Sequence, residues 1–98
     1  MEVIWGSRAE SSYFKIRERI RNRFTEKEEA SFVKLVFETI STIESFPNAY
    51  PITNNKNLKG TRRAVLHPHS TLFYRIEKND QIRLLLFWDN RDDLEKLK

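Results

Sequence analysis

The chain has 98 residues, 39% of them hydrophobic and 33% charged, with a formal net charge of +4, which fits one soluble domain spanning residues 1–98. No apolar run approaches the roughly 20 residues of a membrane-spanning helix, and the opening Met-Glu-Val-Ile-Trp lacks a signal-peptide pattern, so we expect a cytoplasmic protein without a membrane partner. The absence of cysteine excludes a disulfide scaffold, a thiolate nucleophile and a thiolate metal site.

The first quarter of the chain predicts a short strand followed by a helix. Glu2 to Trp5 is strand-like, and Gly6 lets the backbone leave that strand sharply. Ser7-x-x-Glu10 has the spacing of a capping box, so we expect the first helix from Arg8 to about Arg23. Its apolar residues recur at helical spacing and predict one buried stripe, formed by Ala9, Tyr13, Ile16 and Ile20.

A second helix is predicted directly after the first. Thr25-x-x-Glu28 repeats the capping-box spacing, and Pro47 stops the helix after about Ser45. The short connection indicates that the two helices pack as an antiparallel pair. The predicted stripe of the second helix is wider and consists of Phe32, Val33, Val36, Ile40 and Ile43.

The rest of the chain predicts a three-stranded antiparallel meander. After a loop from Phe46 to Gly60, three segments are rich in β-branched, aromatic and aliphatic residues, namely Arg62 to Leu66, Thr71 to Glu77 and Gln81 to Trp88. Asn79 and Asp80 tolerate the positive φ of a tight hairpin. The order of elements indicates an α+β domain with the helix pair on one face of a small sheet.

Strict alternation along these strands assigns their side chains to two faces. The face expected to pack on the helices carries Leu72, Tyr74, Ile76, Leu84, Leu86 and Trp88. The opposite face carries Phe73, Arg75, Arg83, Leu85 and Phe87. Since it combines apolar and basic side chains, it is more typical of a covered interface than of a solvated surface.

Charge is distributed unevenly along the chain. Ser7 to Phe24 has six basic and two acidic residues, Thr25 to Ser45 has two basic and five acidic, and Phe46 to Ile76 has no acidic residue. This predicts a strongly positive side suited to nucleic acid or an acidic protein segment, the alternative being a solvated surface that confers solubility. The candidate binding residues are Lys56, Lys59, Arg62, Arg63, Phe73, Arg75, Arg83, Phe87 and Arg91.

Conventional enzyme motifs are absent, and only the histidines and arginines are candidates for catalysis. Histidine can act as a general base on a ribose hydroxyl, and arginine binds phosphate through its planar fork. The candidate catalytic set is therefore Arg62, Arg63, His67, His69 and Arg91, with solvated histidines beside a turn as the alternative. Without cysteine, a third histidine or a neighbouring carboxylate, we expect no metal site, and we expect no cofactor.

Four segments, taken in order, resemble the RelE/ParE family of bacterial type II toxins. They are Val3-Ile4-Trp5-Gly6-Ser7-x-Ala9, Arg62-Arg63-x-Val65, Leu72-Phe73-Tyr74-Arg75-Ile76 and Leu85-Leu86-Phe87-Trp88-Asp89-Asn90-Arg91. The resemblance spans essentially the whole chain. It implies a small α+β toxin that inhibits growth and takes part in plasmid stabilization. Such a toxin is held inactive by a cognate antitoxin, whose acidic or amphipathic C-terminal segment wraps around it.

The family divides by activity. RelE-like members cut mRNA in the ribosome with basic residues on the central strands, sometimes a histidine or glutamate, and a tyrosine or other group near the C-terminus. Here Thr71 replaces an arginine often found before the L-x-Y-x pattern, and no tyrosine or histidine follows Arg91. ParE-like members share the fold without the nuclease residues and inhibit DNA gyrase. The resemblance therefore favours gyrase inhibition, with mRNA cleavage and a non-toxic basic RNA- or protein-binding module as alternatives.

Overall fold

The computed structural model describes residues 1–93, 96 and 97. Its strands are β1 Glu2–Trp5, β2 Arg62–Leu66, β3 Ser70–Glu77 and β4 Gln81–Asp89, and its helices are α1 Ser7–Arg23 and α2 Glu26–Ser45. A short 3-10 helix, Lys56–Leu58, lies in the loop before β2. In the described residues, neither α-helix has an apolar stretch long enough to cross a membrane.

The four strands form one sheet in the order β1-β4-β3-β2. β2, β3 and β4 are the predicted antiparallel meander, and β1 adds to β4 as a parallel edge strand. Asn79 and Asp80 adopt φ values of 64° and 62°, as the β3–β4 hairpin requires. The predicted α+β architecture is therefore confirmed.

The main core lies between the two helices and one face of the sheet. On α1 the buried residues are the four of the predicted stripe. On α2 the stripe is confirmed at Phe32, Val36, Ile40 and Ile43, whereas Val33 is only half-buried. Leu72 and Tyr74 of β3 and Leu84 of β4 complete this core from the sheet side.

The two helix starts differ from each other in their capping. At α2 the threonine half of the predicted capping box is present, since the Glu28 amide donates to Thr25 Oγ1 over 3.0 Å, while Glu28 Oε1 lies 3.5 Å from His69 Nε2. At α1 the prediction is wrong, because Gly6 is the N-cap and makes no side-chain cap hydrogen bond, while Ser7 is already helical. The cause is the close approach of β1 to β4: the Gly6 amide donates to the Leu84 carbonyl over 3.0 Å, and a Cβ on Gly6 would lie 2.9 Å from that oxygen.

A β-bulge in β4 reverses the predicted faces from Leu86 onwards. Phe73 pairs with Leu86 and Tyr74 with Leu84, so Leu85 is an extra residue without a partner on β3. As a result Phe87 belongs to the helix-side core, and Leu86 and Trp88 lie on the opposite face, contrary to the alternation expected from the sequence.

The middle of that opposite face is covered by the chain itself. Leu58 of the 3-10 helix and Leu97 near the end of the chain pack against Phe73 and Leu86 in a second buried cluster. Asn57 Nδ2 donates to the Leu97 carbonyl over 2.7 Å and so fixes residue 97 beside the 3-10 helix. Part of the covering predicted for this face is thus supplied by the chain itself, over Phe73 and Leu86.

Candidate functional site

Two of the predicted binding residues, Phe73 and Phe87, are not on the surface. Phe73 is 0% exposed and Phe87 2% exposed. Phe73 is buried under Leu58 and Leu97, and Phe87 stacks on Trp5 at a centroid distance of 5.5 Å. Their prediction as partner contacts is corrected accordingly, since β3 faces the chain's own covering segments and the bulge turns Phe87 inward.

Arg62 and Arg63, at the start of β2, hold the loop that precedes them. Arg62 Nη1 donates to the Tyr50 carbonyl over 2.8 Å, and Arg63 Nη1 donates to the Ile52 carbonyl over 3.4 Å. Both side chains are half-buried. The nearby Lys56 and Lys59 are exposed.

Arg75 and Arg83 lie opposite each other on β3 and β4 and share one carboxylate. Arg83 Nε lies 2.8 Å and Arg75 Nη2 3.0 Å from the oxygens of Glu77. Hydrogen bonds from Arg83 and then Arg75 lower the pKa of Glu77, against the smaller effect of its burial. These arginines therefore carry less free positive charge than the sequence indicates.

The two histidines of the β2–β3 turn occupy different environments. His67 is exposed, whereas His69 is only 7% exposed. The His69 ring lies against Phe24, with centroids 5.1 Å apart, and its Nε2 is buried without a hydrogen bond, 3.5 Å from Glu28 Oε1. That distance is too long for a hydrogen bond of ordinary strength, and the ring is enclosed by Phe24, Phe32 and the turn.

A groove that the sequence did not predict runs between α1 and the end of β4. Its volume is about 530 Å³. Four cationic residues of α1 line one wall at intervals of seven, four and four residues, which places them along one side of the helix. They are Arg8, Lys15, Arg19 and Arg23, and β4 contributes Leu86 and Trp88 with Arg91 beyond its end. The sequence shows the excess of basic residues in the first helix, but it does not show that this helix lies beside β4.

Asp89, at the end of β4, holds two arginines of this groove. Its Oδ2 lies 2.9 Å from Arg19 Nε and 2.9 Å from Arg91 Nη2, and its Oδ1 accepts the Arg91 amide over 3.0 Å. The Arg19 contact is a close ion pair in which Nε forms no regular hydrogen bond. Burial raises the pKa of Asp89, but the hydrogen bonds from Arg91 and the charges of Arg19 and Arg91 outweigh it and lower that pKa.

The predicted catalytic residues are not all gathered in one place. Ser70 pairs with Asp89, and the Asn90 amide donates to the His69 carbonyl over 3.0 Å, so the histidine turn and Arg91 lie at the same end of the sheet. Arg62 begins β2 at the opposite end, about 13 Å from Leu66 for four strand steps of about 3.3 Å. In the described residues no group of three or more histidine, aspartate or glutamate side chains is placed to hold a metal ion.

The fold is that of a small α+β protein with a cationic groove, of the RelE/ParE type that the sequence resembles. A profile of the family described as the ParE toxin of type II toxin-antitoxin system, parDE, matches residues 3–94. The chain belongs to this family. Among proteins of curated function, a sequence search gives no match.

Solved structures with the same fold include a ParDE system and YoeB toxins. The chromosomal ParDE system from P. aeruginosa matches with a TM-score of 0.75 at 16% identity, covering 91% of this chain and 95% of that chain. A YoeB/ParE toxin from Agrobacterium tumefaciens gives 0.64 at 13% identity, covering 91% and 98%. A YoeB-YefM complex from Staphylococcus aureus gives 0.60 at 15% identity, covering 90% and 94%. At these identities the likeness establishes the fold alone.

Proposed function

We propose that this chain inhibits growth when free and is neutralised by a cognate antitoxin protein. Membership of the parDE toxin family over residues 3–94 supports the proposal. The similar structures from P. aeruginosa and Staphylococcus aureus are of a toxin-antitoxin system and of a toxin-antitoxin complex. A cationic groove on the surface is consistent with a partner that carries acidic residues.

The target that we propose is DNA gyrase, inhibited by binding without a catalytic step. The observation that carries this choice is the position of the nuclease candidates. Attack by a 2′-hydroxyl requires a base and phosphate-binding cations within reach of one phosphate. Here the His69 ring is enclosed, and Arg62 and Arg63 donate to backbone carbonyls at the far end of β2 from Arg91.

Ribosome-dependent cleavage of mRNA is the second candidate. His67 is exposed, and the turn that bears it lies at the same end of the sheet as Arg91. A base and a phosphate-binding cation are thus both present at that edge. Similarity to YoeB toxins in fold is consistent with this alternative as well.

Induction of the free chain in bacteria distinguishes the two targets. We expect the DNA-damage response to rise while translated messages stay intact by primer extension, and purified gyrase to lose supercoiling activity when the chain is added. Cleaved messages without a damage response would instead establish the nuclease. A His67→Ala variant serves as the matched test, because a gyrase inhibitor keeps its toxicity without His67 and a nuclease that uses it does not. If neither effect is observed, the remaining alternative is a basic binding module without toxicity.

A further inference from the structure

Two exposed phenylalanines form an aromatic patch on the outer side of the helix pair. Phe14 of α1 is 54% exposed and Phe37 of α2 is 52% exposed. Both rings lie against the buried ring of Tyr13, at centroid distances of 5.3 and 6.4 Å. A single exposed apolar side chain is ordinary, but two exposed rings on one buried ring mark an interaction surface.

Phe14 is one of four side chains that form a narrow stripe along α1. The stripe consists of Glu10, Phe14, Arg17 and Arg21, at spacings of four, three and four residues. With 3.6 residues per turn, these side chains lie within about 60° of one another around the helix axis. Such spacing is typical of a helix that packs lengthwise along a second helix.

The two arginines of the stripe are held by α2 but are not enclosed by it. Arg17 Nε and Arg21 Nε lie 3.2 and 2.9 Å from the carboxylate oxygens of Glu29. The side chains of Arg17 and Arg21 remain 30% and 57% exposed, so their other nitrogens can donate to a further partner. Arg17 Cζ also lies 5.8 Å from the centre of the Phe14 ring. Glu10 is exposed, and it has no ion-pair partner within the part of the chain that the structure describes.

The stripe is complementary to itself when a second copy of the chain approaches in the opposite direction. A two-fold axis beside the middle of α1 places residue 10 opposite residue 21 of the second copy and residue 14 opposite residue 17. Glu10 then meets an arginine, and the Phe14 ring meets the Arg17 guanidinium, so both contacts are attractive. In a parallel pair each residue would instead meet its own equivalent, and like charges would oppose each other at Glu10, Arg17 and Arg21. The charges therefore favour the antiparallel pair.

We propose that the free chain forms a symmetric dimer in which the α1 stripe packs antiparallel on the same stripe of a second copy. The contact uses nearly the whole length of α1, which is about 25 Å. A single pair of helices buries an area at the low end of specific interfaces, so we expect a dissociation constant on the order of 10 μM. Arg19, which lines the groove beside β4, lies on the opposite side of α1, so the dimer leaves that groove open.

Analytical ultracentrifugation of the purified chain, at concentrations from about 1 to about 200 μM, measures this dimer directly. Phe14→Ala should weaken dimerisation at least about tenfold, since the ring is lost from both copies. Phe24→Ala is the matched control, because Phe24 is also 54% exposed but lies beyond the end of α1, against the His69 ring. We expect this control to dimerise within about twofold of wild type.

Charge reversal at the two ends of the stripe tests the direction of packing. Glu10→Arg and Arg21→Glu each place like charges opposite each other at two sites, so each variant alone should dimerise at least about tenfold more weakly. Mixed in equal amounts, the two variants should form a heterodimer within about threefold of the wild-type affinity, because the introduced arginine then faces the introduced glutamate. Circular dichroism shows whether Arg21→Glu still folds without its contact to Glu29. If it does not fold, Glu10→Arg and Phe14→Ala decide the test.

Three results would each overturn the proposal. They are a chain that stays monomeric at about 200 μM, an equal loss in Phe14→Ala and Phe24→Ala, and two folded charge variants that do not pair when mixed. A dimer of wild-type strength in Phe14→Ala would place the interface elsewhere and would overturn it as well. Because the measurement needs neither gyrase nor mRNA, its failure would leave the proposed function untouched, and a wrong target would not alter the dimer.

Discussion

Replacing Asp89 by asparagine should destabilise the fold, because its carboxylate is the counter-charge of a largely buried arginine. The Arg19 side chain is 10% exposed and that of Asp89 17% exposed, so the substitution leaves a largely buried guanidinium without its counter-charge. Breaking a fully buried ion pair costs about 3–5 kcal/mol. Partial solvent access and the retained amide oxygen reduce this figure, and we expect a loss of about 2 kcal/mol in the free energy of unfolding.

Urea denaturation followed by tryptophan fluorescence measures this loss. With a denaturant slope of about 1 kcal/mol per molar urea, the unfolding midpoint should fall by about 2 M. The control is Glu38→Gln, which removes a pair with Lys34 at 3.8 Å whose side chains are 80% and 61% exposed. That control should cost less than about 0.5 kcal/mol.

The effect of Asp89→Asn should also depend on pH. The folded-state pKa of Asp89 is lowered, so its stabilising contribution is present above the unfolded-state value of about 3.9 and is lost as the pH falls through the folded-state pKa. The difference in the free energy of unfolding between wild type and Asp89→Asn should therefore become smaller in acid. A gap that stays constant into acid, or one no larger than that of the Glu38→Gln control, would refute the role assigned to this ion pair.

Four further substitutions test local features of the fold in the same assay. Thr25→Ala should lower the free energy of unfolding by about 1 kcal/mol because it removes the α2 cap. Ser7→Ala should change it by less than about 0.5 kcal/mol, because Ser7 does not cap α1. An equal loss in both variants would mean that Ser7 does cap α1, as the sequence predicts. Gly6→Ala should cost about 1–3 kcal/mol, since its Cβ meets the Leu84 carbonyl, and a neutral result would mean that β1 shifts freely. Leu97→Ala should cost about 2 kcal/mol if residue 97 closes the second core, and no loss would show that it does not.

Local patterns in the sequence were sufficient for most of the fold. The stripe of α1 follows from helical spacing alone, and the β3–β4 turn follows from two residues that accept positive φ. The bulge could not be predicted in this way, because Leu84, Leu85, Leu86 and Phe87 are all large and apolar and give no alternation that would reveal an extra residue.

The candidate site was less predictable, because it depends on contacts between distant parts of the chain. Arg62 and Arg63 are basic in the sequence, but their hydrogen bonds to loop carbonyls are visible only in the folded chain. The sequence shows that α1 is rich in cationic residues. Their position beside Trp88 and Arg91 depends on the packing of the end of β4 next to that helix. Burial of Phe73 likewise depends on Leu97.

The parallel pairing of β1 with β4 has a consequence for the order of events during synthesis. Glu2 of β1 pairs with Gln81 of β4, so β1 can begin to pair only after 79 further residues have been synthesised. At translation rates of about 5–20 residues per second this interval is about 4–16 s. Throughout it the α-helical hairpin lacks the sheet that buries its apolar face, and such a distant contact also forms slowly. A ribosome carrying this nascent chain therefore displays an incomplete toxin, and the groove beside β4 arises only when the last strand is in place.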